Sequence, residues 1–398
     1  MRFASVPSTD RPGQRPKEEI PLSTHFRSVD PEGLLEYSVV FTDRSVNHMS
    51  LLFQQAMRDI SATLRQVYRA EAVAVVPGGG SFGMEAIARQ LATGKKCLVI
   101  RNGWFSYRWS QIFDTGAIPA QTTVLKAQPV RAGAKAAYAP PAIETVVDSI
   151  RRDKPDVVFA PHVETASGII LPDDYLRQVA DAVHQAGGLF VLDCVASGAI
   201  WVDMQALGVD VLLTAPQKVW SASPCAALIM LGAEARRRVE QSQSTSFAAD
   251  LKKWLQIMQA YEGGSHAYHA TMPTDSLLRL SQSMRDTLAA GLEPLRAAQL
   301  ELGAKTRAML AGLGFPSVAA PGFESPGVVV SYTDDAEISN ARKFIAQGLQ
   351  AAAGVPLMCD EPADFRTFRV GLFGLDKWAD VDGTVERLRA ALERILAA

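Results

Sequence analysis

The sequence predicts an α/β protein, with a mostly parallel sheet between helices followed by a smaller C-terminal α+β unit. Three observations carry this expectation. Short β-branched runs alternate with helical segments from about residue 50 onward. Several of those runs are apolar throughout, as strands covered on both faces are. After Ser276 the pattern changes to long helical stretches. The expected organisation is an N-terminal arm over residues 1–22, a large domain over 23–290 and a small domain over 291–398.

Residues 1–22 are rich in proline and charge and lack periodicity, which reads as a mobile arm able to order on a partner subunit. From Ser50, the residues Phe53, Met57, Ile60, Leu64 and Val67 recur at helical spacing. Seven strands are expected at 72–76, 97–100, 122–125, 156–160, 189–193, 210–214 and 226–231. A helix over 173–185 stops at Gly187-Gly188. The later helical stretch is interrupted near Gly291 and Pro294. A short β run at 327–332 and a closing helix with Val381, Val385, Leu388, Leu392 and Ile395 follow.

Composition excludes several classes of function. Hydrophobic residues make up 48% and charged residues 21%, an ordinary globular balance. Forty Lys and Arg against 42 Asp and Glu leave a net charge of −2, without the basic excess that phosphate-backbone binding needs. Nucleic acid is therefore not an expected partner. No uncharged apolar run reaches the ~20 residues of a membrane span; the longest candidate, 187–202, is interrupted by Asp193. The N-terminus lacks the apolar core of a secretory signal, and the C-terminus carries no familiar address. Cys97, Cys194, Cys225 and Cys359 are scattered without a C-x-x-C pair. That usage points to a reduced cytoplasm and to neither a disulfide framework nor a zinc site. His48, His162 and His269 read as core or loop hydrogen-bonders, and no metal is expected.

In open parallel sheets, ligands sit beyond the C-terminal strand ends. Three loops there carry chemistry. Pro77-Gly78-Gly79-Gly80-Ser81 lies between a strand and a helix and fits either an anion cradle at a helix N-terminus or a plain tight turn. It matches neither a Walker loop nor a spaced dinucleotide fingerprint. Asp193 closes an apolar strand, where a carboxylate needs a cation or a hydrogen-bond donor. Lys218, in Thr214-Ala215-Pro216-Gln217-Lys218-Val219-Trp220, follows the next strand, as a surface charge or as a nucleophilic amine. A phosphate cradle, a strand-end carboxylate and a semi-apolar lysine at one sheet edge together suit pyridoxal 5'-phosphate.

With those motifs in place, the chain from about Ser50 onward resembles the class V aminotransferases of pyridoxal-phosphate fold type I, in the alanine–glyoxylate and serine–glyoxylate (serine–pyruvate) branch. The resemblance implies a large domain with a mostly parallel seven-stranded sheet. It implies a homodimer with shared active sites that moves an amino group from an alanine- or serine-like donor to a 2-oxo acid such as glyoxylate or pyruvate. On this resemblance Lys218 corresponds to the Schiff-base lysine and Asp193 to the pyridinium partner. Gly79, Gly80, Ser81 and Gln217 correspond to phosphate ligands. In Asn102-Gly103-Trp104-Phe105, Phe105 falls at the stacking aromatic, with Trp104 the neighbouring alternative. Val195 corresponds to the residue on the opposite ring face and Thr165 to the ligand of the phenolic oxygen. Tyr268 and Thr271 resemble residues that reach the neighbouring subunit's phosphate. Arg369 corresponds to the substrate-carboxylate clamp, assisted by Ser197.

The chain departs from many relatives in lacking a Gly-Pro-Gly-Pro element near the start, where 24–31 or Phe41-Thr42-Asp43-Arg44 stand instead. Arg27 and Arg44 raise the alternative of an aminophosphonate–pyruvate transaminase. Cys359, a short way before Arg369, raises that of a lyase or cysteine desulfurase of the same fold, although its flanking residues do not resemble their loop.

Overall fold

Seven short runs form one sheet in the structure, a computed structural model that describes residues 31–397. The arm expected over 1–22, and Arg27, lie outside the described residues. In chain order the strands are β1 (Ala72–Pro77), β2 (Lys96–Arg101), β3 (Gln121–Lys126), β4 (Val157–Pro161), β5 (Leu189–Asp193), β6 (Val211–Thr214) and β7 (Ala226–Leu231). Across the sheet they lie β1-β7-β6-β5-β4-β2-β3. Only β7 runs antiparallel to its neighbours; the other pairings are parallel. β1 therefore points the same way as β2 to β6, and all six release their chain at one edge. Every residue of β4 to β7 is buried, as their uninterrupted apolar runs require. Edge strand β3 is half-exposed and carries Thr122 and Thr123.

The helices pack on both faces. Helix α1 (Leu51–Tyr68) starts at Ser50, whose Oγ accepts the Phe53 N–H at 3.2 Å, and ends at Arg69 in the left-handed conformation. It buries Phe53, Met57, Ile60 and Leu64, each contributing roughly 1.5–3 kcal/mol. Helix α2 (Gly80–Leu91) follows β1 through Gly78, whose φ of +118° brings the Phe82 ring to where a Cβ would stand. At Gly83 a Cβ would lie 2.5 Å from Ala227 and 2.6 Å from Leu213. Only glycine lets α2 press this closely on β6 and β7, and the contact sets its N-terminus at the sheet edge. Helix α3 (Trp104–Gly116) follows β2, and α4 (Asp173–Gln185) precedes β5.

The long helical stretch breaks at Gly291, with φ +86°, into α5 (Thr274–Ala290) and α6 (Leu292–Gly312). A second, antiparallel sheet follows: β8 (Val328–Tyr332), β9 (Ala352–Ala353) and β10 (Thr367–Gly371), in the order β8-β10-β9. Helix α6 and the closing helix α7 (Val381–Ala397) join its core through Leu302, Leu310, Phe368 and Leu392. A third apolar cluster ties the sheets together. It packs Val163, Ala166 and Ala196, beyond β4 and β5, against Val328, Val330 and Leu357. Arg369, on the central strand β10, is thereby carried to the edge where β4 to β6 end. No helix among the described residues is long and apolar enough to cross a membrane.

Candidate active site

A cavity of about 390 Å³ opens between the C-terminal strand ends and the small sheet. That is within the size range of small-molecule sites, about 300–1,000 Å³. The structure brings Gly80, Ser81, Phe105, Thr165, Asp193, Val195, Gln217, Lys218 and Arg369 together in its walls.

The α2 side is built for an anion. Gly79 is the N-cap in extended conformation, and its carbonyl accepts from Phe82 and Gly83. The N–H groups of Gly80 and Ser81 have no acceptor among the described residues, as expected of a first helical turn. At Gly80 a Cβ would stand 2.9 Å from Val195. The absence of a side chain there lets the turn approach the β5 loop.

Asp193 is 9% exposed, and one carboxylate oxygen accepts the Val195 N–H at 2.9 Å. Burial pushes its pKa up to about 6, against the opposing pull of the Val195 hydrogen bond; nearby Glu164 adds to the rise. Lys218 follows β6, the strand that pairs with β5 at Leu213 and Asp193. Burial, and then the charge of Arg369, hold its amine below the ordinary lysine value. Its Nζ lies 4.8 Å from the Phe373 ring centroid. Lys218 and Asp193 form no ion pair, with each other or with any other described residue. The side-chain oxygen of neighbouring Gln217 is buried without a hydrogen-bond partner among the described residues.

Arg369 is held by its Nε, which donates to the Ala353 carbonyl at 2.7 Å. Its Nη atoms have no protein acceptor among the described residues. The guanidinium lies 5.4 Å from the Phe105 ring centroid. Phe105 is itself fixed by Glu164, a fully buried residue of the loop after β4 whose carboxylate meets the first turn of α3. The Glu164 carboxylate accepts the N–H groups of Phe105, Ser106 and Ala166 and the Ser106 hydroxyl, over 2.7–3.2 Å. Charge-assisted bonds to a helix N-terminus are strong ones. They lock the α3 entry and the Thr165 loop to each other. Gly103 permits the approach, since a Cβ there would meet Glu164 at 2.7 Å.

Other expected residues lie elsewhere. Ser197 is not in the cavity wall. It is buried and paired at 2.7 Å with Nδ1 of His162, whose pKa burial pushes down to about 4. Tyr268 and Thr271 bond to each other at 3.1 Å on the surface, with Tyr268 54% exposed. Cys359 is 3% exposed, its thiol pushed up to about 12 mainly by burial, and it does not line the cavity. A mobile desulfurase nucleophile needs the opposite. Arg44 does not line the cavity either. His269 bonds the Phe247 carbonyl, and no group of His, Cys, Asp and Glu among the described residues is placed to hold a metal. Sequence reasoning missed Glu164, Arg108 and Phe373. Only Glu164 left a signal, as a carboxylate inside the buried loop after β4.

Comparison with known proteins follows the same lines. Residues 34–354 match the family model described as aminotransferase class-V. The chain is 26% identical over 363 residues to alanine–glyoxylate aminotransferase of Mus musculus, covering 88% of this chain and 83% of the relative. It is 26% identical to L-aspartate–glyoxylate aminotransferase of Paracoccus denitrificans, over 68% of this chain and 66% of the relative. Among solved structures, alanine–glyoxylate aminotransferase from Nostoc sp. superposes with a TM-score of 0.75 at 21% identity, covering 88% of this chain and 89% of the other.

Proposed function

The chain belongs to the class-V aminotransferase family, and from that premise we propose that it moves an amino group from a small, alanine- or serine-like amino acid to a 2-oxo acid such as glyoxylate or pyruvate, with pyridoxal 5'-phosphate in the cavity. One observation carries this reading. A buried aspartate and a half-buried lysine line the same cavity, yet neither takes the other or any described residue as an ion-pair partner. In a purely structural role the two would pair, because an isolated buried charge is costly.

The donor set fits the cofactor. Gly80 and Ser81 would hold its phosphate on the first turn of α2, and Gln217, whose side-chain oxygen has no partner among the described residues, would turn its amide N–H groups to that phosphate. Asp193 would face its ring nitrogen, with Phe105 and Val195 on the ring and Thr165 at its phenolic oxygen. When bound, the cofactor supplies an electron sink for charge developing at a substrate α-carbon.

The chain's own groups do the rest. Lys218, its amine made less basic by burial and by Arg369, takes and returns a proton at Nζ. Asp193 is ionised above about pH 6 and holds a proton on a basic nitrogen placed against it. Arg369 offers its free Nη fork to a substrate carboxylate, a bidentate task that suits guanidinium.

A homodimer belongs to this proposal, with Tyr268 and Thr271 serving the partner's site. Their absence from this chain's own cavity wall supports it, as do the exposed Leu34, Leu35, Tyr37 and Val39. Four free, buried cysteines suit a reducing, cytoplasmic setting. The test is a half-reaction screen on the loaded protein. Small amino acids should bleach its visible absorbance and 2-oxo acids should restore it; no response to any amino acid would refute the reading.

A further inference from the structure

Nothing in the sequence singles out Arg108, on α3, yet it lines the cavity. Its Nη1 donates to the Ser81 hydroxyl at 2.9 Å, and its guanidinium carbon lies 5.2 Å from the Phe105 ring centroid. Arg369 lies 5.4 Å from that same centroid. The two arginines thus lie near one ring while anchored to different parts of the molecule. Arg369 is tied to the small sheet through the Ala353 carbonyl, and Arg108 to the first turn of α2. Neither forms an ion pair with a carboxylate among the described residues.

The charge balance of the cavity follows from this. Among the described residues, Arg108, Lys218 and Arg369 face a single lining carboxylate, Asp193. Such a surplus suits ligands bearing two separate anions. A substrate carboxylate at Arg369 leaves the second anion for the Arg108 end. That end also holds the Gly80 and Ser81 N–H groups, which have no acceptor among the described residues, and the positive end of the α2 dipole. A tetrahedral dianion brings three oxygens and a double charge to these donors, against the two oxygens and single charge of a second carboxylate.

We propose that Arg108 is a further binding residue for the cofactor's phosphate, completing the cradle that Gly80 and Ser81 begin and orienting the Ser81 hydroxyl toward it. The proposal rests on the reading that the cavity takes pyridoxal phosphate. The competing use of Arg108 is to grip the second carboxylate of a dicarboxylic amino donor.

The experiment titrates full-length apoprotein with pyridoxal 5'-phosphate and separately with pyridoxal, which lacks the phosphate. Binding is read as quenching of tryptophan fluorescence, so turnover is not needed. Arg108→Gln should weaken the phosphorylated ligand about thirty-fold, as loss of a charge-assisted hydrogen bond implies, and leave pyridoxal within about two-fold. Ser81→Ala, which keeps the cation but removes its partner, should cost less than about five-fold. Equal weakening of both ligands by Arg108→Gln would make Arg108 merely structural and overturn the proposal. Unchanged phosphate-ligand affinity together with a raised KM for dicarboxylic donors alone would overturn it in favour of a substrate role. A wild-type protein that binds neither ligand would refute the underlying cofactor reading as well.

Discussion

Replacing Arg369 with alanine should raise the KM of every carboxylate substrate by at least about a hundred-fold. The magnitude follows from what the guanidinium offers. Its Nε is engaged with Ala353 at 2.7 Å, which leaves two Nη donors as a fork. Each hydrogen bond between charged groups contributes about 1.5–3 kcal/mol, so two lost together remove about 3 kcal/mol or more. A factor of ten corresponds to about 1.4 kcal/mol. A second consequence is independent of substrate. Arg369 is the second cause, after burial, of the lowered Lys218 pKa, and its removal should let that pKa rise. Initial rates with alanine, serine and glyoxylate measure the first effect. The pH dependence of Lys218 modification by an amine reagent in the apoprotein, read by peptide mass spectrometry, measures the second and should move to higher pH. Normal saturation with an unmoved modification profile would place the carboxylate clamp elsewhere.

Asp193→Asn should lower turnover by several orders of magnitude and yet stabilise the apoprotein. Because the folded pKa of Asp193 is raised to about 6, wild-type stability falls as pH rises from the unfolded carboxylate value, about 4, through 6. The variant should therefore gain up to about 3 kcal/mol above pH 6, fading below pH 4; thermal melts showing the same gain at pH 4 and pH 8 would contradict this. Gly83→Val forces a side chain against Ala227 and Leu213 and should cost about 1–3 kcal/mol or more. It should also weaken cofactor binding by shifting α2, and an unchanged melt and affinity would show that the contact is not tight. Mixing Lys218→Ala with Tyr268→Ala protein under subunit exchange should restore one site per mixed dimer, because a two-fold contact repeats every donated residue. No mixed dimer binding cofactor more tightly than the Tyr268→Ala homodimer would show that the tyrosine does not cross the interface.

Much of the fold was legible because burial on both faces leaves a plain trace. The run Leu189–Asp193 and the helix Asp173–Gln185 have the bounds expected from sequence, since a strand ending on a carboxylate and a helix ending before glycines are punctuated chemically. The reversed direction of β7 was not legible: a fully buried strand reads the same in either direction. Gly80, Asp193 and Lys218 were found because each sits at or shortly beyond a strand or helix terminus. Arg108 was not, because an arginine within a helix carries no mark of whether it meets solvent or a cavity. Phe373 was missed for a similar reason, since an apolar residue beyond a strand reads as core. Ser197 lies close to Asp193 in sequence, but its hydroxyl is spent on His162, a pairing across 35 residues that no local pattern reveals.

The central claim is that the cavity positions Lys218 to engage pyridoxal phosphate. Incubating the protein with that cofactor, reducing with borohydride and mapping the digest by mass spectrometry tests it most directly. One pyridoxyl-phosphate addition per chain is expected, on the peptide carrying Lys218, and none on the Lys218→Ala variant. Stoichiometric addition at another lysine, or no addition to Lys218 in the wild-type protein, would contradict it.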